Sequence, residues 1–169
     1  MATLKTADQG LIFTSCIFNI DKVSVQNIES IWKERYELSG SLEPELSPSF
    51  RYYSKEMGSN LKRLIIWGNI HYPREELVAG KLWADNVESE HLEAGNRTIN
   101  MDIGLLVKEQ MVLATSKPYA HRVYLGSGVY ADLTYKYENK SYQFLPWTYP
   151  DYKCPEKVNL FNSLRTRLF

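Results

Sequence analysis

The chain has 169 residues, 44% of them hydrophobic and 24% charged, a length that suits one domain and an apolar content that excludes a disordered chain. Twenty Lys and Arg residues balance twenty Asp and Glu residues, so the formal net charge is zero. A neutral chain has no global field that attracts polyanions, and we therefore expect no nucleic-acid partner.

The first elements of the chain have the pattern of a strand followed by a helix. Residues 11–20 form a dense apolar run, typical of a buried strand. Apolar residues then recur at three- and four-residue spacing over residues 25–36, which predicts a helix with Ser24 as its N-cap and Gly40 as its stop. Residues 42–48 contain two prolines, which predicts an extended connection.

A hairpin and a second helix are predicted next. Residues 50–54 and 61–70 resemble strands separated by a turn. Pro73 suits the first turn of a helix. Gly95 is predicted to end this helix. Residues 97–104 then alternate between polar and apolar side chains, so this segment is predicted to be a strand with one polar face.

The second half of the chain is dominated by strand patterns. Residues 105–115 fit either a helix or a strand, and a helix is favoured. Residues 121–125 and 129–137 are predicted strands joined by a glycine-containing turn, with another strand at 142–145. Pro155 begins a last helical pattern. We therefore expect a single α+β domain over residues 1–169, with a mainly antiparallel sheet and helices on one face. The βαββαβ order is that of a ferredoxin-like unit, extended by a β-meander and a helix.

Cysteine usage and hydropathy indicate where the protein resides. Cys16 and Cys154 lie far apart and match no CxxC or Cys/His spacing, which favours free thiols in a reducing compartment. No stretch reaches the ~20 apolar residues that span a bilayer, and residues 1–9 lack the apolar core of a secretory signal. We expect a cytoplasmic protein with no membrane partner.

Motifs for metals and cofactors are absent from the sequence. His71, His91 and His121 belong to unrelated predicted elements, so no metal site is expected. The phosphate-binding loop, dinucleotide-binding, zinc-protease and serine-hydrolase signatures are also missing, and no cofactor is expected. Whether the protein is an enzyme stays open.

The predicted strand at residues 97–104 carries the first candidate site residues. Asn100 and Asp102 share a face about 7 Å apart, close to Arg97. Such side chains can bind a polar ligand. The alternative is that this face is solvated, or that it pairs with Arg and Lys residues on a neighbouring strand.

Residues 115–122 carry the densest set of groups that can hold an anion. Lys117 offers a point charge, and Arg122 offers bidentate contact to phosphate or carboxylate. The alternative is that these cations pair with Asp102 and Asp132 across a sheet. His121 is either an interior hydrogen-bonding histidine or a general base.

Residues 147–152 form an aromatic loop that follows a predicted strand. Trp147 and Tyr149 offer faces on which a base or sugar can stack. The alternative, which aromatic side chains favour in general, is a plug that folds back over the core.

Several longer motifs resemble those of a known family, the bacterial proteins grouped as domain of unknown function 4416. The resemblance covers nearly the whole chain and rests on Tyr52-Tyr53 with Glu56-Met57-Gly58, Lys81-Leu82 with Val87-Glu88, Arg97-x-x-Asn100-x-Asp102-x-Gly104, Ala114-Thr115-Ser116-Lys117 with His121-Arg122-Val123-Tyr124-Leu125, Gly128-Val129-Tyr130-Ala131-Asp132, and Leu145-Pro146-Trp147-Thr148-Tyr149-Pro150-Asp151-Tyr152. The chain departs from the family at Phe50-Arg51, Ala84-Asp85 and Ile103. The resemblance supports these residues as a set and implies no reaction.

Two hypotheses of function follow. In the first, the protein binds a small phosphorylated or carboxylated ligand, which Lys117 and Arg122 hold and Asn100 orients, with His121 or Asp102 as the catalytic residue that moves a proton. Arg97, Trp147 and Tyr149 complete the ligand-binding set. In the second, the aromatic loop and the meander form a non-enzymatic protein-protein interaction module or a homo-oligomeric scaffold.

Overall fold

The structure, a computed structural model, describes residues 3–42, 45–46, 50–68 and 72–169, without the side chain of Phe50. The strands are β1 Leu11–Asn19, β2 Gly40–Ser41, β3 Leu61–Trp67, β4 Leu92–Glu93, β5 Asn96–Arg97, β6 Ile99–Leu106, β7 Gln110–Thr115, β8 Arg122–Gly126, β9 Val129–Glu138 and β10 Ser141–Phe144. The helices are α1 Val25–Lys33, α2 Phe50–Met57, α3 Glu76–Glu90 and α4 Pro155–Arg165, and a 3-10 turn covers Pro150–Tyr152.

One antiparallel sheet organises these elements, in the order β10-β9-β7-β6-β1-β3-β2, with β8 on the edge of β9 opposite β7. β1 is central, and all nine of its residues are buried. Its alternate side chains point to opposite faces. Ile12 and Cys16 join a core formed with α1 and α3, while Leu11 and Phe13 join a core formed with α4. The predicted buried strand is confirmed, and it is buried throughout because helices cover both of its faces.

The α+β class and the mainly antiparallel sheet are confirmed, as are the C-terminal β-meander and the helix after it. The expected placement of the helices on one face is wrong. α1 and α3 pack on one face of the sheet, whereas α2 and α4 pack on the other.

The predicted hairpin and the ferredoxin-like order are wrong because residues 50–54 belong to helix α2. Tyr53 and Met57 lie four residues apart and pack against Ile17 and Leu61. This spacing brings both side chains onto one helix face, and tertiary packing therefore overrides the strand preference of the paired tyrosines.

The helix favoured for residues 105–115 is also wrong, since the segment contains the end of β6, a turn and β7. Leu105 and Val112 face the core of α1 and α3, while Leu106 and Met111 face the core of α4. Both faces of these strands are thus apolar. The alternation that would have indicated strands is absent for that reason.

Helix boundaries are predicted less well than the helices themselves. Ser24 is confirmed as the N-cap of α1, since its Oγ accepts a hydrogen bond from the Asn27 N–H at 3.1 Å. However, α1 ends well before Gly40, and α3 begins after Pro73 and ends before Gly95. Gly95 instead adopts a φ of +80° in the turn between β4 and β5.

The remaining predicted elements are confirmed as β3, β8, β9, β10 and α4. The turn between β8 and β9 has positive φ at Gly126, Ser127 and Gly128. Among the helices of the described chain, none combines the length and hydropathy that a membrane crossing requires. His71, the last two residues of the strand predicted at 61–70 and part of the predicted connection at residues 42–48 lie outside the described residues.

Candidate functional site

The sheet opens between β6 and β7. These strands pair only from Gly104↔Leu113 to Leu106↔Met111. Beyond that point residues 99–103 pair with β1, and the end of β7 pairs with β9. At the opening, Oε1 of Glu88 on α3 accepts a hydrogen bond from the backbone N–H of Met101 at 2.7 Å. A side chain thus satisfies a donor that β7 leaves unpaired.

A cavity of about 630 Å³ fills this opening. Its volume lies within the range of small-molecule sites. Its cationic lining residues are Arg51, Arg63, Lys81, Arg97 and Lys117, and its carboxylates are Asp85, Glu88, Asp102, Asp132 and Asp151. These side chains come from both faces of the sheet, because the separation of β6 and β7 gives both faces access to the same space.

Polar side chains of β3 and β6 line the cavity on one face of the sheet. Asn100 and Asp102 share a face, as their spacing predicts, and their register partners on β1 are Ile17 and Ser15. Ile17 also pairs with Arg63 of β3, which places Arg63 on the same face of the sheet as Asn100. The strand pairing therefore brings together residues that are distant in sequence.

Arg63 forms a buried ion pair with Asp151, through its Nη2 and the Asp151 Oδ2. Its Nη1 donates to the Ser15 Oγ at 3.0 Å. Within the described residues its Nε has no hydrogen-bond partner. Arg63 thus retains one donor beside the cavity that it lines.

Arg97 ties α2, α3 and β6 together. Its Nε and Nη2 donate to Glu56 at 2.7 and 2.9 Å, and its Nη1 donates to Glu88 Oε2 at 2.8 Å and to Asn100 Oδ1 at 2.7 Å. These hydrogen bonds lower the pKa of Glu56. The pKa of Glu88 is raised, because burial outweighs its bonds to Met101 and Arg97. The guanidinium of Arg97 is therefore engaged by protein groups.

Asp102 has no ion-pair partner among the described residues. Burial raises its pKa, although the charges of Arg63, Lys81 and Arg97 act in the opposite direction. The Asn100 amide also lowers this pKa, while its Nδ2 makes no hydrogen bond of normal geometry within the described chain. Asp102 is thus a carboxyl group in a cavity without a dedicated cation.

Lys117 lies just beyond the end of β7 and is exposed. Its Nζ lies 5.8 Å from the ring centroid of Tyr52, and its backbone N–H donates to the Thr115 Oγ1 at 3.2 Å. In the described part of the chain neither Lys117 nor Arg51 pairs with a carboxylate. Lys81, by contrast, contacts Asp85 at 2.5 Å.

Arg122 lies behind the cavity wall rather than in the lining. Its Nε donates to Asp132 Oδ2 at 2.9 Å, its Nη1 to the Lys117 carbonyl at 2.9 Å, and its Nη2 to the Tyr149 hydroxyl at 2.8 Å. The pairing with Asp132 that was the alternative for this residue is present. Arg122 thus fixes three residues that do line the cavity.

His121 and Trp147 also lie behind the wall. Their rings stack at 4.8 Å with an interplanar angle of 12°, and the His121 Nε2 lies 3.3 Å from Asp132 Oδ2. The Trp147 Nε1 donates to the Leu133 carbonyl at 2.8 Å. Of the aromatic loop, Tyr149, Asp151 and Tyr152 line the cavity.

The structure therefore divides the candidate residues into two groups. Those in the cavity lining are Arg97, Asn100, Asp102, Lys117 and Tyr149. Those behind the wall are His121, Arg122 and Trp147, which contact lining residues or one another.

Several lining residues were not among the predicted site residues. The sequence distinguishes Arg63 only as a charged residue that follows Lys62 in the predicted strand. Lys81 and Glu88 lie on the buried side of α3 with Leu77 and Ala84, so polar residues at core positions were their signal. Among the described residues, no group of three or more His, Cys, Asp or Glu side chains is placed to hold a metal ion.

The model of the DUF4416 family, described as a domain of unknown function, matches residues 9–168. The chain therefore belongs to this family. The match includes every residue of the cavity lining. No curated protein and no solved structure matches the chain.

Proposed function

We propose that the cavity between β6 and β7 binds a small molecule through a phosphate or carboxylate group. The observation that carries this proposal is Lys117, which lines the cavity and has no carboxylate partner within the described residues. Arg51 of α2 lines the same cavity and is likewise unpaired there. Two free cations beside a cavity of this size favour an anionic ligand.

The lining residues then divide the work of binding. Lys117 and Arg51 hold the anion. The Asn100 Nδ2 and the Arg63 Nε supply hydrogen bonds that orient the ligand, since both donors lack partners in the described structure. Asp102 is the lining group that we assign to proton exchange, because it lines the cavity and burial raises its pKa above the ordinary value of 3.8.

The residues behind the wall support this arrangement. Arg122 fixes the Lys117 backbone and the Tyr149 hydroxyl. His121 and Trp147 stack on each other beside Asp132, which His121 contacts. We therefore assign Arg122, His121 and Trp147 to positioning the wall, and Asp102 in preference to His121 to proton transfer.

Thermal-shift measurements with inorganic phosphate, sugar phosphates, nucleotides and dicarboxylates test for binding, and titration calorimetry then compares variants. Lys117→Ala should weaken the best probe at least about tenfold, which corresponds to ~1.4 kcal/mol. Lys136→Ala is the matched control, because Lys136 is an exposed lysine of β9 that pairs with Glu138 outside the cavity. The proposal is wrong if no probe binds, or if Lys117→Ala binds as tightly as the wild-type protein.

A second candidate function is self-association, in which β8 binds a second copy of this chain. Val123, Tyr124 and Leu125 are 66, 59 and 42% exposed. β8 pairs with β9 along one edge and with no other strand of the described chain. Exposed edges are usually protected by charge or proline, yet residues 123–131 carry no charge. Antiparallel pairing of β8 with its own copy satisfies two-fold symmetry, and the zero net charge leaves little repulsion between copies.

Light scattering over a range of protein concentrations tests this candidate. Leu125→Lys should abolish dimers, because it places a charge on the edge strand. Leu82→Lys on α3 is the matched control, since Leu82 and Leu125 are both 42% exposed. A wild-type protein that is monomeric throughout, or a dimeric Leu125→Lys variant, would contradict self-association.

A further inference from the structure

Most charged groups at the cavity are paired within the protein. The pairs are Arg63–Asp151, Lys81–Asp85, Arg97–Glu88 and Arg122–Asp132. In the part of the chain that the structure describes, Asp102, Lys117 and Arg51 remain without ion-pair partners. The cavity therefore presents unsatisfied charge of both signs.

The unpaired groups belong to different walls. Asp102 lies within β6, where it pairs in register with Ser15 of the central strand. Lys117 follows the end of β7, and Arg51 lies on α2, and both are exposed. Because β6 and β7 separate beside Asp102, the Asp102 carboxyl group and the two cations line one cavity.

The surplus charge near Asp102 is negative. Arg63, Lys81 and Arg97 act on this carboxyl group. Each of these cations, however, already has a carboxylate of its own. The Asp102 carboxylate is therefore the charge that the protein leaves uncompensated at this wall.

We propose that the ligand carries an ammonium group as well as an anion, the ammonium binding Asp102 and the phosphate or carboxylate binding Lys117 and Arg51. This inference rests on the proposed function, since it specifies the second group of the same ligand. A half-buried carboxylate is costly without a counter-charge, and a ligand ammonium supplies one. A ligand with a second anion at that end would instead be repelled, so Asp102 also sets its orientation.

Two matched series of compounds test the inference by titration calorimetry. The first compares ω-aminoalkyl phosphates of increasing chain length with alkyl phosphates of the same lengths. The second compares ω-amino carboxylates with the corresponding carboxylates, and shows which anion Lys117 and Arg51 accept. The amine-bearing member should bind at least about tenfold tighter, or ~1.4 kcal/mol, at the best length.

Asp102→Asn should remove this preference while the variant still binds the alkyl phosphate or carboxylate. Asp85→Asn is the control, because Asp85 lines the same cavity but pairs with Lys81, and it should keep the preference. If amine-bearing and amine-free compounds bind equally to the wild-type protein, or if Asp102→Asn keeps the preference, the inference fails and the proposed function stands. If neither series binds, the inference fails, and the thermal-shift panel decides the proposed function separately.

Discussion

The Oε1 atom of Glu88 accepts a hydrogen bond from the backbone N–H of Met101 at 2.7 Å. Through this contact a side chain of α3 accepts the hydrogen bond of a β6 backbone N–H that is not paired with β7. The Oε2 atom of Glu88 also accepts a hydrogen bond from Arg97 at 2.8 Å, and Arg97 in turn binds Glu56 of α2. The opening between the strands is therefore held by two helices and a strand, and we expect it to persist without ligand.

Glu88→Ala should destabilise the protein by about 1–3 kcal/mol, because it leaves a buried N–H without its acceptor and removes a partner of Arg97. Glu90→Ala is the control, since Glu90 is an exposed residue of the same helix. Urea denaturation gives the free energy of unfolding of both variants. Equal stability of the two would show that Glu88 does not hold the opening.

Asp151→Ala should cost about 3–5 kcal/mol, because it leaves the buried Arg63 guanidinium without its counter-charge. The double variant Arg63→Met/Asp151→Leu should recover most of this loss, since it removes both charges and retains apolar volume. Unfolding curves of Asp151→Ala and of the double variant, measured under the same conditions, compare their free energies of unfolding. A double variant as unstable as Asp151→Ala would argue against an unpaired charge as the cause.

Asp102→Asn should stabilise the protein at neutral pH. Burial raises the pKa of this carboxyl group above its ordinary value of 3.8, so ionisation is less favourable in the folded state than in the unfolded state. This cost is absent below the ordinary pKa and grows until pH exceeds the raised pKa. The melting temperature of Asp102→Asn should therefore exceed that of the wild-type protein at pH 7 by about 2–4 °C for each kcal/mol gained.

The same gap in melting temperature should shrink as the solution is acidified toward the ordinary pKa of an aspartate. Glu88 also has a raised pKa, and the difference between wild type and variant removes its contribution. A gap that is constant with pH, or a variant less stable at pH 7, would contradict the assigned environment of Asp102.

Arg122→Ala should weaken binding of the best anionic probe, although Arg122 lies outside the cavity lining, because Lys117 and Tyr149 lose a common anchor. Arg122→Lys should not restore binding, since an ammonium group cannot reproduce the fork of donors that a guanidinium presents. Calorimetry on both variants provides the measurement. Full affinity in Arg122→Lys would show that charge alone is needed.

The elements that the sequence predicted correctly include those in which one face is polar and the other apolar. Asn100 and Asp102 were found to share a face because they alternate with buried apolar residues along β6. Residues 105–115 were misassigned because both faces of the strands are buried. In α2 the decisive signal was the packing of Tyr53 and Met57 on distant strands, which local preference does not contain.

The candidate site was predicted only in part for a related reason. Lys117 stands out locally as a cation just after a strand, and Asp102 as a polar residue in an alternating strand. Arg63 follows Lys62 in β3, and Lys81 is one of several charged residues of α3. Only the ion pairs that form in the folded chain distinguish them. Arg122 was expected to hold the ligand itself, and its bond to Tyr149 joins residues 27 positions apart.

The most direct test of the ligand site is an NMR titration of isotope-labelled protein with the ω-aminoalkyl phosphate of best affinity. We predict that the backbone amides of Met101 and Lys117 and the side-chain amide of Asn100 shift together and saturate, while the side-chain amide of Gln143 on β10 does not. Shifts confined to residues outside the cavity, or no saturable shift at all, would contradict a binding site between β6 and β7.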